Sequence, residues 1–249
     1  FDYNVILCNI DNNSELQNFY IDFLQQKRVD GIILASVSFK DKNIEKLVNS
    51  GFPCVFCNRR LSLKKASFIS SDNKLGAKNA IEHFLSLGHK RISYISGPWE
   101  YSTAADRLVG YKEAIREAGI PIDKQLIAHG TFSKNFAKEA TNKLLNIKNP
   151  PTAIFISNDL MALSALDLLI EKGYRVPEDV AIIGYDDISI SQHKRIQLTT
   201  VAQQKEKMGK LAADNMISLL ESNQGIAKPF HIYLEPKLVI RETCGFKLK

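Results

Sequence analysis

The sequence lacks several features that would assign it to a large class of proteins. No apolar run approaches the roughly 20 residues that a membrane-spanning helix requires, and no signal peptide opens the chain. There is no glycine-rich phosphate loop and no Gly-x-Ser-x-Gly nucleophile motif. The five histidines are dispersed, so the sequence shows no cluster of metal ligands. We therefore predict a protein that is not an enzyme and that uses no metal ion and no cofactor.

Cysteine is scarce as well. The four cysteines are Cys8, Cys54, Cys57 and Cys244, and three of them fall in apolar, strand-like runs. Cys54 and Cys57 form one C-x-x-C, but a zinc site needs a second pair or nearby histidines. Buried reduced thiols are the favoured interpretation, because cysteine prefers protein cores. Reduced thiols predict a cytoplasmic location.

The chain carries an excess of positive charge, but that charge is not concentrated. Lysine and arginine number 33 against 27 acids, which gives a net charge of +6 spread along 249 residues. Such scattering does not by itself indicate a nucleic-acid surface. A hydrophobic fraction of 45% is ordinary for a globular protein, and the length suffices for one large domain or two small ones.

Apolar runs and helical periodicities alternate along the chain. Asp72 is placed to cap one helix, and Thr103 with Asp106 has the spacing of a capping box at the start of another. The alternation predicts parallel sheets with helices on both faces, which is an α/β fold. The predicted strands cover residues 5–8, 31–35, 54–57, 68–69, 92–95, 126–128, 153–156, 180–183 and 198–202, followed by an alternating edge strand through 232–240.

The most informative segment spans residues 176–203. Its apolar run at 180–183 does not alternate, as in a strand buried on both faces, and Gly184 closes it. Asp186 and Asp187 follow at the carboxyl end of that strand, where open α/β sheets bind ligands. Two acids there can also cap a turn or a helix, so the sequence leaves a structural and a ligand-binding role open.

Seven motifs together resemble the lactose-repressor/galactose-repressor family of bacterial transcription regulators. The resemblance implies two doubly wound parallel-sheet lobes of the periplasmic-binding-protein type I, joined by three crossovers. The motifs are VPEDV at 176–180, IGYDD at 183–187, LTTV at 198–201, RVDGIIL at 28–34, LGHKRI at 87–92, RLVGY at 107–111 and SNDLMA at 157–162.

The same resemblance implies how the chain is shared between the lobes. Residues 1–97 and 197–225 are expected to form the N-terminal lobe, and 98–196 and 226–249 the C-terminal lobe, with crossings near Gly97, Ile196 and Gly225. Family members begin with a helix-turn-helix headpiece, whereas this chain starts at what would be the second strand. We therefore expect a fragment with an incomplete N-terminal lobe, in which DNA contact belongs to a headpiece absent from these residues.

Arg107 lies in the first turn of its predicted helix, where the helix dipole disfavours a cation. A surface salt bridge would explain it, and so would a guanidinium fork aimed at a ligand. The resemblance favours the ligand, because Arg107 matches the family's effector-binding arginine and Asp186 matches its acidic effector ligand. Asn158 and Asp159 match effector contacts but also sit where a helix needs capping.

The remaining candidates are assigned by the same resemblance. Phe132 matches an aromatic that stacks on a sugar or base, although a plain core role is equally open. Asp72, Thr103 and Ser36 match positions that line the cleft, and Trp99 and Tyr101 could add stacking surface. Donors and acceptors between aromatic walls suit a neutral sugar or a nucleobase.

These observations predict the effector-binding and dimerisation core of a cytoplasmic, homodimeric, DNA-binding transcription regulator. The effector, expected to be a sugar, moves the lobes and thereby alters the affinity for operator DNA. One alternative is an extracytoplasmic sugar-binding protein of a transport system. Another is a carbohydrate-active or nucleotide-processing enzyme, for which the required side chains are missing.

Overall fold

The computed structural model describes residues 3–221 and 228–245. Its strands are β1 (Ile32–Leu34), β2 (Cys54–Cys57), β3 (Ser67–Ser71), β4 (Ile92–Ser96), β5 (Ile127–His129), β6 (Ala153–Ile156), β7 (Ala181–Asp186), β8 (Thr200–Ala202), β9 (His231–Leu234) and β10 (Lys237–Val239). Its helices are α1 (Ser14–Gln26), α2 (Lys42–Asn49), α3 (Asn73–Ser86), α4 (Ser102–Glu117), α5 (Lys134–Leu145), α6 (Asp159–Glu171) and α7 (Lys205–Glu221).

Residue contacts divide the chain into two compact units. Unit 1 comprises Phe1–Ile69 and Lys207–Ile232, and unit 2 comprises Ser70–Glu206 and Tyr233–Lys249. The predicted first lobe runs to residue 97 instead, but β4 pairs with β5 and β6 and therefore belongs to the sheet of unit 2. The predicted crossing near Gly225 lies outside the described residues. The lobe boundaries as a whole stay a prediction.

Unit 1 is built on a four-stranded sheet with the order β1-β2-β3-β9, in which β1, β2 and β3 are parallel. Ile21 and Leu24 of α1, Ile44 of α2 and Phe56 of β2 are buried together in one core. A Cβ at Gly31 would lie 2.6 Å from the sulfur of Met216, so glycine lets α7 approach the start of β1 closely.

Unit 2 is built on a six-stranded sheet with the order β10-β8-β7-β6-β4-β5. The neighbours from β8 to β5 run parallel, and only β10 is antiparallel to its partner β8. The carboxyl ends of five strands therefore meet at one edge of this sheet. Ligands of open α/β sheets bind at such an edge.

The sheet of unit 2 is covered on both faces. Ile183 of β7 packs in the core that includes residues of α3 and α4, and its neighbour Ile182 packs in the core that includes residues of α5 and α6. Burying a side chain of this size stabilises the fold by roughly 1.5–3 kcal/mol. This two-sided burial explains the apolar run without alternation and confirms the predicted fold class.

Two local predictions are wrong. No strand forms at residues 5–8, where Val5 and Leu7 are 89% and 93% exposed. A strand needs a neighbour for its backbone hydrogen bonds, and β1 pairs only with β2 within the described residues. The capping box also fails, because α4 begins at Ser102 and Tyr101 occupies its cap position, which places Thr103 inside the first turn.

Candidate functional site

The candidate site lies in unit 2, at the carboxyl edge of its sheet. Asp186 is the last residue of β7, and β6 is followed at once by Ser157 and Asn158. Because these strands are parallel neighbours, their ends meet at the same edge. Arg107 reaches this edge from the second turn of α4, one turn later than the sequence predicted.

Arg107 is buried rather than placed on the surface, with 4% of the residue exposed. Its Nε donates to the side-chain oxygen of Asn73 at 2.8 Å, and its Nη1 donates to the backbone carbonyl of Ser157. The guanidinium carbon lies 3.5 Å from the ring centroid of Tyr185, within cation–π distance. These contacts hold the guanidinium in one orientation.

Asp186 faces Arg107 across a gap. Its Oδ1 lies 3.9 Å from Nη2 of Arg107, which is too long for a hydrogen bond, and accepts a hydrogen bond from Nε2 of Gln203 at 2.6 Å. Burial raises the pKa of Asp186, and the charge of Arg107 opposes that rise. Within the described residues, Oδ2 of Asp186 accepts no hydrogen bond and Nη2 of Arg107 donates none. One acceptor and one donor therefore remain for a third group.

The backbone at the end of β7 adopts an uncommon conformation. Asp186 and Asp187 have φ values of 110° and 48°. Residues other than glycine seldom adopt a positive φ. Asp187 is held by an ion pair of 2.7 Å with Arg241. Strain of this kind, kept in place by surrounding contacts, is found most often at functional sites.

Asp159 is fully buried, and its carboxylate is engaged by the protein. Thr200 donates to its Oδ1 at 2.6 Å, while Ser191 and the amide of Ile188 donate to its Oδ2 at 2.7 and 2.9 Å. Burial raises its pKa to about 6. These bonds tie α6 to the segments that follow β7 and begin β8. The role of Asp159 as an effector contact stays a prediction.

Asn158 caps α6, because its side-chain oxygen accepts a hydrogen bond from the amide of Met161 at 2.8 Å. The oxygen is therefore committed to the helix. Within the described residues the amide nitrogen of the side chain makes no hydrogen bond, so it remains a donor at the sheet edge. Capping and ligand binding are compatible at this position.

Phe132 lies over the end of β4. A Cβ at Gly97 would be 2.0 Å from the ring of Phe132, so only glycine allows this approach. The ring stacks on Tyr101 with a centroid distance of 5.9 Å and an interplanar angle of 26°. Phe132 is half-buried, which leaves part of the ring exposed at the same sheet edge.

The other predicted residues are placed differently. Asp72 caps α3 by accepting from the amide of Leu75 at 2.9 Å, as the sequence predicted, and Thr103 is buried within α4. Ser36 belongs to unit 1, where Nη1 of Arg59 lies 3.3 Å from its hydroxyl oxygen. The structure thus brings Arg107 and Asp186 together and leaves Ser36 in the other unit.

Three residues of the site were not predicted. Asn73, Gln203 and Tyr185 contact Arg107 or Asp186 directly, and Oε1 of Gln203 is buried without a hydrogen-bond partner among the described residues. Each follows or ends a predicted strand, so its position at the sheet edge was a usable signal. No sequence pattern shows which side chain an arginine will contact.

Two surface cavities lie away from this site. One of about 370 Å³ in unit 1 is lined by α1 and α2, and one of about 630 Å³ in unit 2 follows β5 and α5. Neither is lined by Arg107 or Asp186. Across the described residues no helix is long and apolar enough to cross a membrane, and no group of three or more metal-ligating side chains is present.

Comparisons with known proteins agree with this architecture. Residues 81–244 match the family described as "Periplasmic binding protein-like domain". The HTH-type transcriptional repressor PurR of Photobacterium profundum is 33% identical over 242 residues, which cover 97% of this chain and 72% of the relative.

Two solved structures are similar over nearly the whole chain. The transcriptional regulator CelR–cellobiose complex is 32% identical with a TM-score of 0.86, and the match covers 93% of this chain and 71% of that chain. A regulatory protein of the LacI family from Chloroflexus aggregans is 29% identical with a TM-score of 0.82, and the match covers 95% and 83%.

Proposed function

Because the chain belongs to the lactose-repressor (LacI) family of transcription regulators and forms the effector-binding core of that family, we propose that it binds a neutral sugar through Arg107 and Asp186. Binding changes the affinity of the whole regulator for operator DNA. The DNA contacts are made by a helix-turn-helix headpiece, and the chain acts as a homodimer in the cytoplasm.

The observation that carries this proposal is the gap between Arg107 and Asp186. The two side chains approach to 3.9 Å without a hydrogen bond, and within the described residues Nη2 of Arg107 and Oδ2 of Asp186 have no hydrogen-bond partner. A sugar hydroxyl fits both, since it donates to the carboxylate and accepts from the guanidinium. The opposite charges nearly cancel, which favours a neutral ligand over an anion.

The aromatic wall supports a sugar ring. Phe132 and Tyr101 present stacked rings at the same sheet edge as the polar pair, and sugar sites combine apolar faces with few well-placed polar groups. The relative solved with cellobiose is 32% identical to this chain. An extracytoplasmic transport protein is disfavoured, because the similar proteins named above are transcription regulators.

Two further expectations follow from the family. The four cysteines form no disulfide, which is compatible with a reducing compartment. We expect binding without turnover, so the sugar should be recovered unchanged after incubation with the chain. Chromatography of the incubated sugar tests this, and conversion to a product would support the enzyme alternative.

The test is isothermal titration calorimetry of this chain with glucose, galactose, ribose, cellobiose, maltose and lactose, and with hypoxanthine as a nucleobase. We expect at least one sugar to bind. Asp186→Asn should weaken that binding by about 10- to 100-fold, since hydrogen bonds to charged groups contribute roughly 1.5–3 kcal/mol. Arg107→Lys keeps the charge but loses the planar fork, and should weaken binding similarly.

Arg116→Ala is the matched control, because Arg116 is exposed on the same helix. It should leave the affinity unchanged. Thermal unfolding of each variant separates lost binding from lost folding. Wild-type affinity in both Arg107→Lys and Asp186→Asn would overturn the proposed binding site. Binding of hypoxanthine, with no binding of any of the sugars, would overturn the proposal that the ligand is a sugar.

A further inference from the structure

A second pair of stacked rings lies at the carboxyl ends of β4 and β5. Trp99 follows β4, and His129 is the last residue of β5, the edge strand of the unit 2 sheet. Their ring centroids are 3.8 Å apart with an interplanar angle of 18°. The indole N–H of Trp99 donates to the buried hydroxyl of Ser96 at 3.1 Å, which fixes the ring in place.

Trp99 is 40% exposed although His129 covers one face of its ring. An ordered indole left in contact with water is an unfavourable arrangement in the unbound protein, because aromatic surface gains free energy from burial. A bound ring that covered the exposed surface would recover that free energy. Rigid aromatic faces are also economical binding surfaces, since few side-chain rotations are lost.

The order of the strands sets the distance from this pair to the polar site. From Asp186 on β7 the sheet passes through β6 and β4 to His129 on β5, which is three strand spacings or roughly 14 Å. Gly97 directly follows β4 and is approached by the ring of Phe132, and the end of β4 lies only two spacings from Asp186, or roughly 10 Å. A distance of three strand spacings exceeds the length of a single sugar ring, so one ring cannot contact both Asp186 and His129.

We propose that Trp99 and His129 form a second sugar subsite, so that the effector is an oligosaccharide of at least two rings. This inference rests on the proposed function, in which the first ring is held by Arg107 and Asp186. The second ring stacks through its C–H groups on the aromatic surface. This subsite sets the preference for oligosaccharides over monosaccharides.

The sequence supplies a local reporter, because Trp99 is the single tryptophan in the chain. Cellobiose, maltose and lactose are titrated against glucose and galactose while tryptophan emission is recorded, and the same titrations are followed by calorimetry. We expect the best disaccharide to shift the emission to shorter wavelength and to reduce quenching by acrylamide. A monosaccharide that binds by calorimetry should leave both signals unchanged.

The variants separate the two subsites. Trp99→Ala should weaken disaccharide binding about tenfold, to the level of the matching monosaccharide, while monosaccharide binding stays unchanged. Trp99→Phe keeps an aromatic face and should restore most of the affinity. Arg107→Lys should weaken the binding of both ligands.

The outcomes distinguish failure of the subsite from failure of the site. Equal binding of monosaccharides and disaccharides, with unchanged tryptophan emission, would overturn the second subsite and leave the proposed function in place. If none of these sugars bound the wild-type chain, the proposed function would be overturned, and the oligosaccharide inference with it.

Discussion

Asp159 and Asp186 are two acids at neighbouring strand ends that the protein uses in different ways. The donors around Asp159 come from the protein itself, with three hydrogen bonds to its two oxygens. Asp186 receives one hydrogen bond and faces Arg107 across 3.9 Å. The hydrogen bonds to Asp159 satisfy a buried acid within the fold, whereas the second oxygen of Asp186 is the acceptor that we propose for a ligand.

The largest expected difference between the two acids concerns stability. Asp159→Ala leaves three donors without a partner, two of them buried, which should lower the free energy of unfolding by about 4 kcal/mol. Asp186→Asn should change it by less than about 1 kcal/mol, because Asn tolerates the positive φ at this position. Urea denaturation followed by circular dichroism measures both. An equal loss of unfolding free energy in the two variants would show that the two acids do not differ in their contribution to stability.

The second prediction concerns the pH dependence that Asp159 gives to stability. Burial raises the pKa of Asp159 from 3.8 to about 6, so the folded chain binds this proton more tightly than the unfolded chain. The resulting stabilisation is fully present below pH 3.8 and is lost as the pH rises through about 6. The shift corresponds to about 3 kcal/mol.

Asp159→Asn is the control for this pH dependence, since it carries no titrating carboxyl. Urea denaturation at several pH values between about 4 and 7 should show wild type losing stability relative to this variant as the pH rises. Parallel curves for the two proteins would show that Asp159 keeps an ordinary pKa.

A third prediction concerns Gly184, which lies against the carboxylate of Asp159. A Cβ at Gly184 would lie 2.3 Å from Oδ1 of Asp159, so Gly184→Ala should displace the carboxylate from Thr200. We expect a loss of about 2 kcal/mol in the free energy of unfolding, typical of overpacking. Gly209→Ala is the matched control, since a Cβ there would meet no atom within 4 Å. Differential scanning calorimetry should show a lower Tm only for the first variant.

The smallest expected effect tests how Asp186 is held. Gln203→Ala removes the 2.6 Å hydrogen bond to Oδ1 and lets the carboxylate rotate. Affinity for the best sugar should fall about fivefold, which corresponds to about 1 kcal/mol. Gln204→Ala changes the next residue, which bonds to the backbone of Glu235, and its affinity should match wild type by calorimetry. Equal affinities in both variants would show that Gln203 does not position Asp186.

The predictions from the sequence succeeded where a residue's role follows from its immediate neighbours. The apolar run at 180–183 predicted a strand buried on both faces, and Asp72 was recognised as a helix cap. The strand predicted at 5–8 failed for the opposite reason, because pairing depends on a neighbour that the local pattern does not show. The capping box at Thr103 failed because helix α4 begins two residues earlier than that box required.

By itself the sequence determined the alternating α/β order, the family, and the position of Asp186 at the carboxyl end of a strand. Only the tertiary structure decided that Asn73 and Tyr185 hold Arg107, and that Asp159 is satisfied while Asp186 is not. The physical reason is the separation along the chain between the residues that interact. Backbone preferences and burial patterns act between residues close in the chain, whereas the hydrogen bonds around a site join segments 34 to 50 residues apart, as they do for Arg107.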